Sequence, residues 1–160
     1  MANRSFLGSV TAALGAAIGG AREPDEADAP ETFEVDRSAE EWRSLLTPEQ
    51  YRVLRESGTE RAGSSPLDRE YRHGTFVCAA CALPLFASEA KFDSGTGWPS
   101  FFEPIENAVR TRRDRGFFGP QTEVHCRRCG GHLGHVFDDG PPPTGQRYCM
   151  NGVALDFVAA

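Results

Sequence analysis

The residues with the clearest chemical potential in this chain are its five cysteines, four of which form two C-x-x-C pairs. The pairs are Cys78 with Cys81 and Cys126 with Cys129, and 44 residues (82–125) separate them. Four thiolates at about 2.3 Å complete the tetrahedral coordination that Zn²⁺ requires, so the pattern predicts a closed, structural zinc site with these four ligands. Two disulfides in an oxidising compartment, or an iron–sulfur cluster, are alternatives that the same cysteines leave open.

The fifth cysteine, Cys149, is a candidate nucleophile. It lies in a segment, Gln146 to Asn151, that we expect to be a β-strand, in which Arg147, Cys149 and Asn151 share one face. A neighbouring arginine lowers the pKa of a thiol and favours the nucleophilic thiolate. The alternative is a buried, inert cysteine, because free cysteines are among the residues most often found in protein cores.

Three further side chains could act beside such a nucleophile. His132 and His135 directly follow the second cysteine pair, so a metal bound there would hold them rigidly, and an imidazole can donate a proton to a leaving oxygen. One of them could instead bind zinc, although four cysteines already fill a tetrahedral shell. Trp98, in a glycine-rich segment, is predicted to be either an apolar wall for a small group or a core residue beneath a turn.

The elements that must position these residues follow from local sequence patterns. Capping boxes beginning at Ser38 and Thr47 predict two short helices, the first extending through Leu46 and the second ending before Gly58. Beyond Gly58 the apolar runs are short and Gly and Pro recur, which predicts an antiparallel β domain. The strands expected from these runs cover residues 75–78, 124–126 and 147–151.

The N-terminal part of the chain differs in composition from the rest. Residues 1–21 have a positive start at Arg4, an uncharged apolar stretch over 6–18 and small residues after it, which is the layout of an export signal. We therefore expect export to a bacterial periplasm, with an uncleaved tail on a cytoplasmic protein as the alternative. Residues 22–37, rich in Asp, Glu, Pro and Ala, predict an acidic disordered linker, and residues 38–160 the folded domain.

Charge and length restrict the partners. The chain has 160 residues and a formal net charge of −6, and nucleic-acid binding needs a basic surface, so we expect no nucleic-acid partner. The one basic cluster, Arg110, Arg112, Arg113 and Arg115, is interpreted as a solvated strand edge or loop. The N-terminal apolar stretch is shorter than the about 20 residues that span a bilayer, so we expect no stable membrane insertion. We expect the protein to act as a monomer.

Several ordered blocks between Leu46 and Phe157 resemble the type B methionine sulfoxide reductases, which are specific for the R epimer of the sulfoxide. The blocks are Gly58-Thr59-Glu60, Cys78-Ala79-Ala80-Cys81, Pro84-Leu85-Phe86, Lys91-Phe92-Asp93-Ser94-Gly95, Gly97-Trp98-Pro99-Ser100-Phe101, His132-Leu133-Gly134-His135-Val136-Phe137 and Arg147-Tyr148-Cys149-Met150-Asn151. The resemblance implies an oxidoreductase that repairs oxidised proteins. It also implies a mainly β fold, in which two antiparallel sheets form a barrel-like core that is stapled by zinc and preceded by short helices.

The resemblance assigns roles to individual residues. Cys149 is the nucleophile that attacks the sulfoxide sulfur and becomes a sulfenic acid as methionine leaves, and Trp98 packs the substrate methyl group. Arg147 occupies a substrate-binding position near the thiol, where we expect it to act electrostatically. The substrate oxygen and a water are oriented by three polar residues: His132, His135 and Asn151. The four paired cysteines occupy the positions of the family's zinc ligands.

One departure from the family pattern predicts how the enzyme is regenerated. Many members have a resolving cysteine where this chain has Thr96, and the other cysteines here are committed to the metal site. We therefore expect an external thiol, from a thioredoxin-like protein or a small molecule, to reduce the sulfenic acid. The residues alone leave two other functions open, namely a zinc-ribbon binding module with an inert Cys149 and a general thiol oxidoreductase or peroxidase.

Overall fold

A computed structural model of the protein describes residues 30–116 and 119–160. The predicted export signal and residues 22–29 of the predicted linker lie outside the described residues. The residues from Thr32 to Ala160 form one structural unit.

The last part of the predicted linker contacts the folded domain. The ring of Phe33 packs edge-on against His125, with 5.9 Å between the ring centroids. The main-chain N–H of Val35 donates a hydrogen bond of 3.0 Å to the carbonyl oxygen of Arg128. Residues 33–35 therefore differ from a solvated acidic linker. The apolar residues Phe33 and Val35 interrupt the acidic run, and their contacts keep this segment beside the second cysteine pair. The linker prediction for the residues before them stays a prediction.

Two short helices open the described part of the domain, α1 (Ala39–Leu45) and α2 (Pro48–Glu56). Each begins with a capping box, in which the residue before the helix and the third helical residue exchange hydrogen bonds: Ser38 with Glu41, and Thr47 with Gln50. Both predicted helices are thus confirmed. They are held to the core by buried apolar side chains, among them Trp42 and Val53. No helix among the described residues has the length and apolar content needed to cross a bilayer.

Nine strands follow the helices in residues 57–116 and 119–160. They are β1 (Gly74–Cys78), β2 (Pro84–Ala87), β3 (Lys91–Phe92), β4 (Ser100–Phe101), β5 (Val109–Asp114), β6 (Gln121–Cys126), β7 (His132–Phe137), β8 (Arg147–Met150) and β9 (Leu155–Ala159). All pairings between neighbours are antiparallel. A three-stranded sheet has the order β2-β1-β9, and a six-stranded sheet has the order β3-β4-β8-β7-β6-β5. The strands predicted around the cysteines are therefore confirmed as parts of β1, β6 and β8.

The prediction of a mainly β fold with two antiparallel sheets and short N-terminal helices is confirmed. The sheets do not close into a complete barrel, since the strand order of the larger sheet ends at β3 and β5 in the described residues. The basic cluster lies largely on β5 and thus on a sheet edge, as expected from its composition.

Aromatic side chains join the two sheets in the core. Phe101 of the larger sheet stacks on Phe86 of the smaller one with 4.3 Å between ring centroids, and meets Phe76 edge-on at 5.0 Å. All three side chains are fully buried. Burying an aromatic side chain of this kind contributes roughly 1.5–3 kcal/mol, so this contact is a main source of cohesion between the sheets.

Candidate active site and metal centre

The four paired cysteines come together at one point, although the two pairs are far apart in sequence. Their Sγ atoms all lie within 4.8 Å of one another. The Sγ atoms of Cys78 and Cys129 are 3.8 Å apart, and those of Cys81 and Cys126 are 3.5 Å apart. A tetrahedron with metal–sulfur bonds of about 2.3 Å has edges of about 3.8 Å, whereas a disulfide bond is about 2.05 Å long. The spacing therefore fits a metal ion in the centre, and the two measured sulfur–sulfur distances are longer than a disulfide bond.

The same turn forms each half of this four-sulfur cluster. In the first knuckle (Cys78–Ala82) the N–H of Ala82 donates to the carbonyl oxygen of Cys78 at 2.8 Å, and in the second knuckle (Cys126–Gly130) Gly130 donates to Cys126 at 2.9 Å. The last residue of each knuckle has a left-handed backbone, with φ of 61° at Ala82 and 71° at Gly130. Because Cys78 ends β1 and Cys126 ends β6, a metal ion in the cluster would link the two sheets.

The four sulfurs compete for protons. Hydrogen bonds with Cys126 and Cys129 raise the pKa of Cys78, whereas hydrogen bonds with the same two residues lower the pKa of Cys81. Like charges at such distances cannot all ionise together without a cation. The donor set is therefore one that a divalent metal ion would complete.

Cys149 lies in a different setting, within a row of polar side chains that crosses the larger sheet. Cross-strand pairing places Ser100 opposite Cys149, Cys149 opposite His135, His135 opposite Glu123, and Glu123 opposite Arg112. Directly opposed residues in antiparallel strands project from the same face. The polar row therefore runs across five strands, and their alternate side chains, such as those of β4 and β6, belong to the hydrophobic core.

A β-bulge adds His132 to the polar row. Residues three apart in a regular strand project from opposite faces, so His132 and His135 would be separated without it. Val124 lies opposite Gly134 while the next residue of β6 lies opposite His132, which leaves Leu133 as an extra residue in β7. The two imidazole rings consequently meet edge-on, with 5.4 Å between their centroids.

Each of these histidines has a carboxylate partner. His132 Nδ1 lies 2.7 Å from Glu123, and His135 Nε2 lies 3.2 Å from Asp114. Burial alone would raise the pKa of Glu123, but hydrogen bonds from His132 and Arg112 outweigh it and lower the pKa to about 2. Glu123 is therefore an anion that orients His132 from behind. Neither histidine belongs to the four-sulfur cluster, in agreement with the interpretation that cysteines alone hold the metal.

Four of the predicted site residues line one cavity of about 330 Å³: Trp98, His135, Cys149 and Asn151. Phe137 supplies a second aromatic wall. The indole of Trp98 is fixed there, because its N–H donates to the carbonyl oxygen of Glu60 at 3.1 Å. His132 and Arg147 do not line the cavity; His132 lies beside the ring of His135, and Arg147 precedes Cys149 by two residues on β8. A thiol, an imidazole, an amide and an apolar wall thus surround one space.

Arg147 is engaged chiefly with a carboxylate. Its guanidinium donates to Asp139 through two bonds of 2.9 and 3.0 Å, and it lies over the ring of Phe137, 4.5 Å from the centroid. The pKa of Cys149 is raised by burial, although the charge of Arg147 and a hydrogen bond with Thr96 act in the opposite direction. The expected lowering by Arg147 is therefore present but outweighed, because the sulfur is largely removed from water.

Asn151 and Glu60 fasten the walls of the cavity. The side chain of Asn151 donates to the carbonyl of the bulge residue Leu133 at 2.9 Å and accepts from the N–H of Glu60 at 2.9 Å. The buried carboxylate of Glu60 accepts hydrogen bonds of 2.6 and 2.9 Å from the N–H groups of Gly152 and Val153. Burial is the largest cause that raises the pKa of this carboxyl.

The sequence analysis missed Glu60 and Glu123 as parts of the site. Glu123 could have been found from strand alternation, which puts it between Gln121 and His125 on one face of β6. Glu60 gives no such signal, because it lies in an irregular segment and all of its partners are distant in sequence. A larger cavity of about 590 Å³ next to Glu60 has carboxylates and two serines in its lining but no cysteine or histidine, so it offers neither a thiol nor an imidazole.

Comparisons with known proteins agree with the geometry. The sequence model of the SelR domain matches residues 46–159. A peptide methionine sulfoxide reductase MsrB from Methanosarcina mazei is 54% identical over 125 residues, which cover 78% of this chain and 89% of that protein. The MsrB proteins of Leptospira interrogans and Pseudomonas putida are 51% and 56% identical over 126 and 124 residues, covering 78% and 77% of this chain and 96% and 93% of those proteins.

These matches confirm the resemblance seen in the sequence blocks, and the SelR match covers the described domain from residue 46, just after α1, to residue 159. The matched region contains the four-sulfur cluster, the polar row and the cavity. The chain therefore belongs to the peptide methionine sulfoxide reductase MsrB family of oxidoreductases.

Proposed function

We propose that this chain reduces the R epimer of methionine sulfoxide, in oxidised proteins and to some extent as the free amino acid, with Cys149 as the nucleophile. The observation that carries the proposal is the position of Cys149, which is the one cysteine outside the four-sulfur cluster and lines a cavity with an indole and an imidazole. The names of the relatives, which are peptide methionine sulfoxide reductases, support the substrate class.

In the proposed reaction, the sulfur of Cys149 attacks the sulfoxide sulfur. The sulfoxide oxygen gains a proton and passes to Cys149, and the methionine leaves as a thioether. The cysteine is thereby oxidised by two electrons to a sulfenic acid, while the sulfoxide is reduced by two electrons. Trp98 and Phe137 form an apolar wall on which the methyl group of the substrate can pack.

The imidazoles provide the proton and orient the oxygen in this proposal. His135 lies directly opposite Cys149 and lines the cavity, which supports a role for it as the proton donor to the sulfoxide oxygen. His132 and Asn151 support it and help to orient the oxygen and a water. The ionised carboxylate of Glu123 holds the ring of His132 through Nδ1. We expect the orientation of the His132 ring by Glu123 to contribute more to the rate than proton donation by His132 itself.

Regeneration is proposed to depend on an external thiol. The four other sulfurs lie in the metal-binding cluster, and Thr96 offers a hydroxyl near Cys149 where a second cysteine could otherwise stand. A first external thiol displaces water from the sulfenic acid to form a mixed disulfide, and a second thiol releases Cys149 and carries away the new disulfide. A thioredoxin-like protein or a small thiol could supply both thiols.

We further propose that the four-sulfur cluster binds one Zn²⁺ ion. The four paired cysteines would hold it in a closed shell, so the ion would stabilise the fold by linking the sheets and would not touch the sulfoxide. Metal analysis of the purified protein tests this. One zinc ion per chain is expected. Two or more iron ions per chain, together with inorganic sulfide, would instead indicate an iron–sulfur cluster.

The decisive experiment measures turnover of separated R and S epimers of a methionine sulfoxide peptide, with a dithiol as reductant. Wild-type protein should reduce the R epimer and leave the S epimer, and Cys149→Ser should lose turnover although its metal content and circular dichroism are unchanged. The rival peroxidase function predicts peroxide consumption without sulfoxide, and the rival binding module predicts no turnover at all. Deoxygenation by the serine variant would refute the proposed mechanism.

We also propose that residues 1–21 act as an export signal and deliver the domain to a periplasm. The support is the positive start, the apolar stretch and the small residues that end the segment. Cell fractionation and the N-terminal mass of the mature protein test this proposal. Periplasmic protein cleaved near residues 19–21 is expected, and intact protein found in the cytoplasm would overturn it.

A further inference from the structure

Three hydroxyl groups next to Cys149 form a continuous hydrogen-bonded chain. The pairing of β4 with β8 places Ser100 directly opposite Cys149. The hydroxyl of Thr96 lies 2.8 Å from Ser94 Oγ, and its interaction with the sulfur of Cys149 lowers the pKa of that thiol. Ser94 Oγ in turn lies 2.7 Å from Ser100 Oγ. The hydroxyl of Ser100 donates to the carbonyl oxygen of Trp98 at 3.1 Å. This hydroxyl chain (Thr96, Ser94 and Ser100) thus connects the sulfur to a main-chain acceptor.

The direction of these hydrogen bonds is determined when Cys149 is a thiol. Each hydroxyl group has a single hydrogen to donate. Because Ser100 gives its hydrogen to the carbonyl of Trp98, Ser94 must donate to Ser100, and Thr96 must donate to Ser94. The oxygen of Thr96 is then left to accept the hydrogen of the Cys149 thiol.

We propose that the hydroxyl chain reverses when Cys149 loses its proton, so that Thr96 stabilises the thiolate as a hydrogen-bond donor. A thiolate has no hydrogen to donate, so Thr96 turns its hydrogen to the sulfur, and Ser94 and Ser100 each turn theirs one step towards Thr96. The carbonyl of Trp98 loses its donor at the far end. This inference rests on the proposed role of Cys149 as nucleophile, and it makes Thr96 a positioning residue for that sulfur.

The proton that leaves Cys149 does not travel along the hydroxyl chain. The far end of the chain is a carbonyl oxygen, which is too weakly basic to hold a proton, so the hydroxyl groups only rotate. The proton leaves through the cavity, to water or to His135, which passes a proton on to the oxygen of the substrate. The three hydroxyl groups therefore respond to the charge on the sulfur without being acids or bases themselves.

The reversal matters because the other groups around Cys149 do not fully stabilise its thiolate, which therefore gains from a hydrogen-bond donor. Burial disfavours the thiolate of Cys149, and the carboxylate of Asp139 disfavours it further. Arg147 favours it, but two of the guanidinium N–H groups are held by Asp139. His135 faces Cys149 from the neighbouring strand. Thr96 is thus an uncharged donor, and its hydroxyl group has no carboxylate partner among the described residues.

The test follows the alkylation rate of Cys149 by iodoacetamide against pH, in the metal-loaded full chain, with mass spectrometry of the modified peptide. Thr96→Val keeps the size of the side chain and removes the donor. Its rate profile should have a midpoint about one pH unit higher, a tenfold loss of thiolate below the midpoint, because charge-assisted hydrogen bonds are strong. Thr96→Ser should restore the wild-type midpoint. Thr122→Val, on β6 outside the hydroxyl chain, should leave it unchanged.

A double-mutant cycle with Ser94→Ala tests the chain as a unit. Donation from Ser94 makes Thr96 a better donor, so Thr96→Val should shift the midpoint less in the Ser94→Ala background. Equal shifts in both backgrounds would overturn the reversal of the chain. An unmoved midpoint in Thr96→Val, or a displaced one in Thr96→Ser, would overturn the role of Thr96. Because no sulfoxide is present, these outcomes are distinguishable from a failure of the proposed reductase function.

Discussion

The four-sulfur cluster and the surroundings of Cys149 use the same element in opposite ways. In the cluster each sulfur has other sulfurs within 4.8 Å, and the donor set is closed to any further group. Cys149 has no sulfur partner among the described residues, and one side of it opens on a cavity of about 330 Å³. The four clustered sulfurs face one another, so they are suited to holding the fold together. Cys149 is reachable from the cavity, but its pKa is raised, so the amount of thiolate depends on the groups around it.

The two regions also differ in how the chain builds them. The cluster is assembled from two copies of one local turn, each of which is nearly complete within five residues. The site at Cys149 is assembled from cross-strand register, a bulge at Leu133 and contacts to Glu60 that span more than ninety residues of sequence. We therefore expect damage to the cluster to appear as loss of folding, and damage to the polar row to appear mainly as loss of rate or a change in pH dependence.

The largest expected effect contrasts Cys126→Ser with Cys149→Ser. A structural zinc ion contributes on the order of 10 kcal/mol to folding, which is comparable to the whole stability of a domain. Cys126→Ser, or chelation of the wild type, should therefore abolish the cooperative thermal transition. Cys149→Ser changes one atom in a half-buried position and should melt within a few degrees of wild type. Thermal melts followed by circular dichroism decide this, and a Cys126→Ser variant that melts normally would contradict a stabilising metal site.

The next effect concerns the buried anion of the polar row. Glu123→Ala leaves His132 without its carboxylate, and removing one member of a buried ion pair costs about 3 kcal/mol. The folded-state pKa of Glu123, about 2, lies below its ordinary value. Its stabilisation is therefore complete above about pH 4.5 and is lost only as the pH falls towards 2. Urea unfolding between pH 5 and 3 should show the difference in unfolding free energy between wild type and variant becoming smaller as the pH falls.

A difference that does not become smaller over that range would mean that the fold does not lower the pKa of Glu123. The matched control is Glu123→Gln, which keeps an acceptor for His132 and should retain part of the stability. The same variants should slow sulfoxide reduction and leave the metal content of the protein unchanged. A reduced zinc content in Glu123→Ala would instead show that the two regions are coupled.

Glu60→Gln should give a smaller effect with the opposite dependence on pH. The amide keeps one oxygen, so only one of the N–H groups of Gly152 and Val153 loses its acceptor, at a cost of about 1–2 kcal/mol. The pKa of Glu60 is raised in the fold, so the wild type loses stability as the pH rises from about 4.5 through that pKa. The gap between wild type and Glu60→Gln should consequently narrow as the pH rises. A gap that widens would show that Glu60 is ionised and paired.

The contrast between the two regions explains how much could be predicted from sequence. The residues of the four-sulfur cluster, both capped helices and the strands around the cysteines follow from patterns of three to six residues. The fold class follows from the same patterns. The sequence could not predict that His132 and His135 project from the same face of the sheet. This depends on the β-bulge, in which one residue of β7 has no pairing partner in β6. The net pKa shift of Cys149 could not be predicted either, since the local sequence shows Arg147 but not the burial that outweighs it.

The smallest expected effect tests whether the two knuckles are equivalent turns. Both end in a left-handed residue, but the first has Ala82 where the second has Gly130. A left-handed conformation costs an alanine roughly 1–2 kcal/mol, and glycine avoids this cost but loses about 0.4–1 kcal/mol through the freedom of its unfolded chain. Ala82→Gly should therefore stabilise the protein by about 0.5 kcal/mol in urea unfolding, without a change in turnover.

The reverse substitution at the second knuckle serves as the control. A Cβ atom on Gly130 would lie 2.5 Å from the ring of Phe33, so Gly130→Ala adds a clash to the left-handed strain and should destabilise by about 2 kcal/mol. Phe33→Ala in the same chain should relieve the clash but not the strain, and so recover part of the loss. If Ala82→Gly destabilised instead, the methyl group of Ala82 would have to make contacts worth more than its strain, and the two halves of the cluster would not be alike.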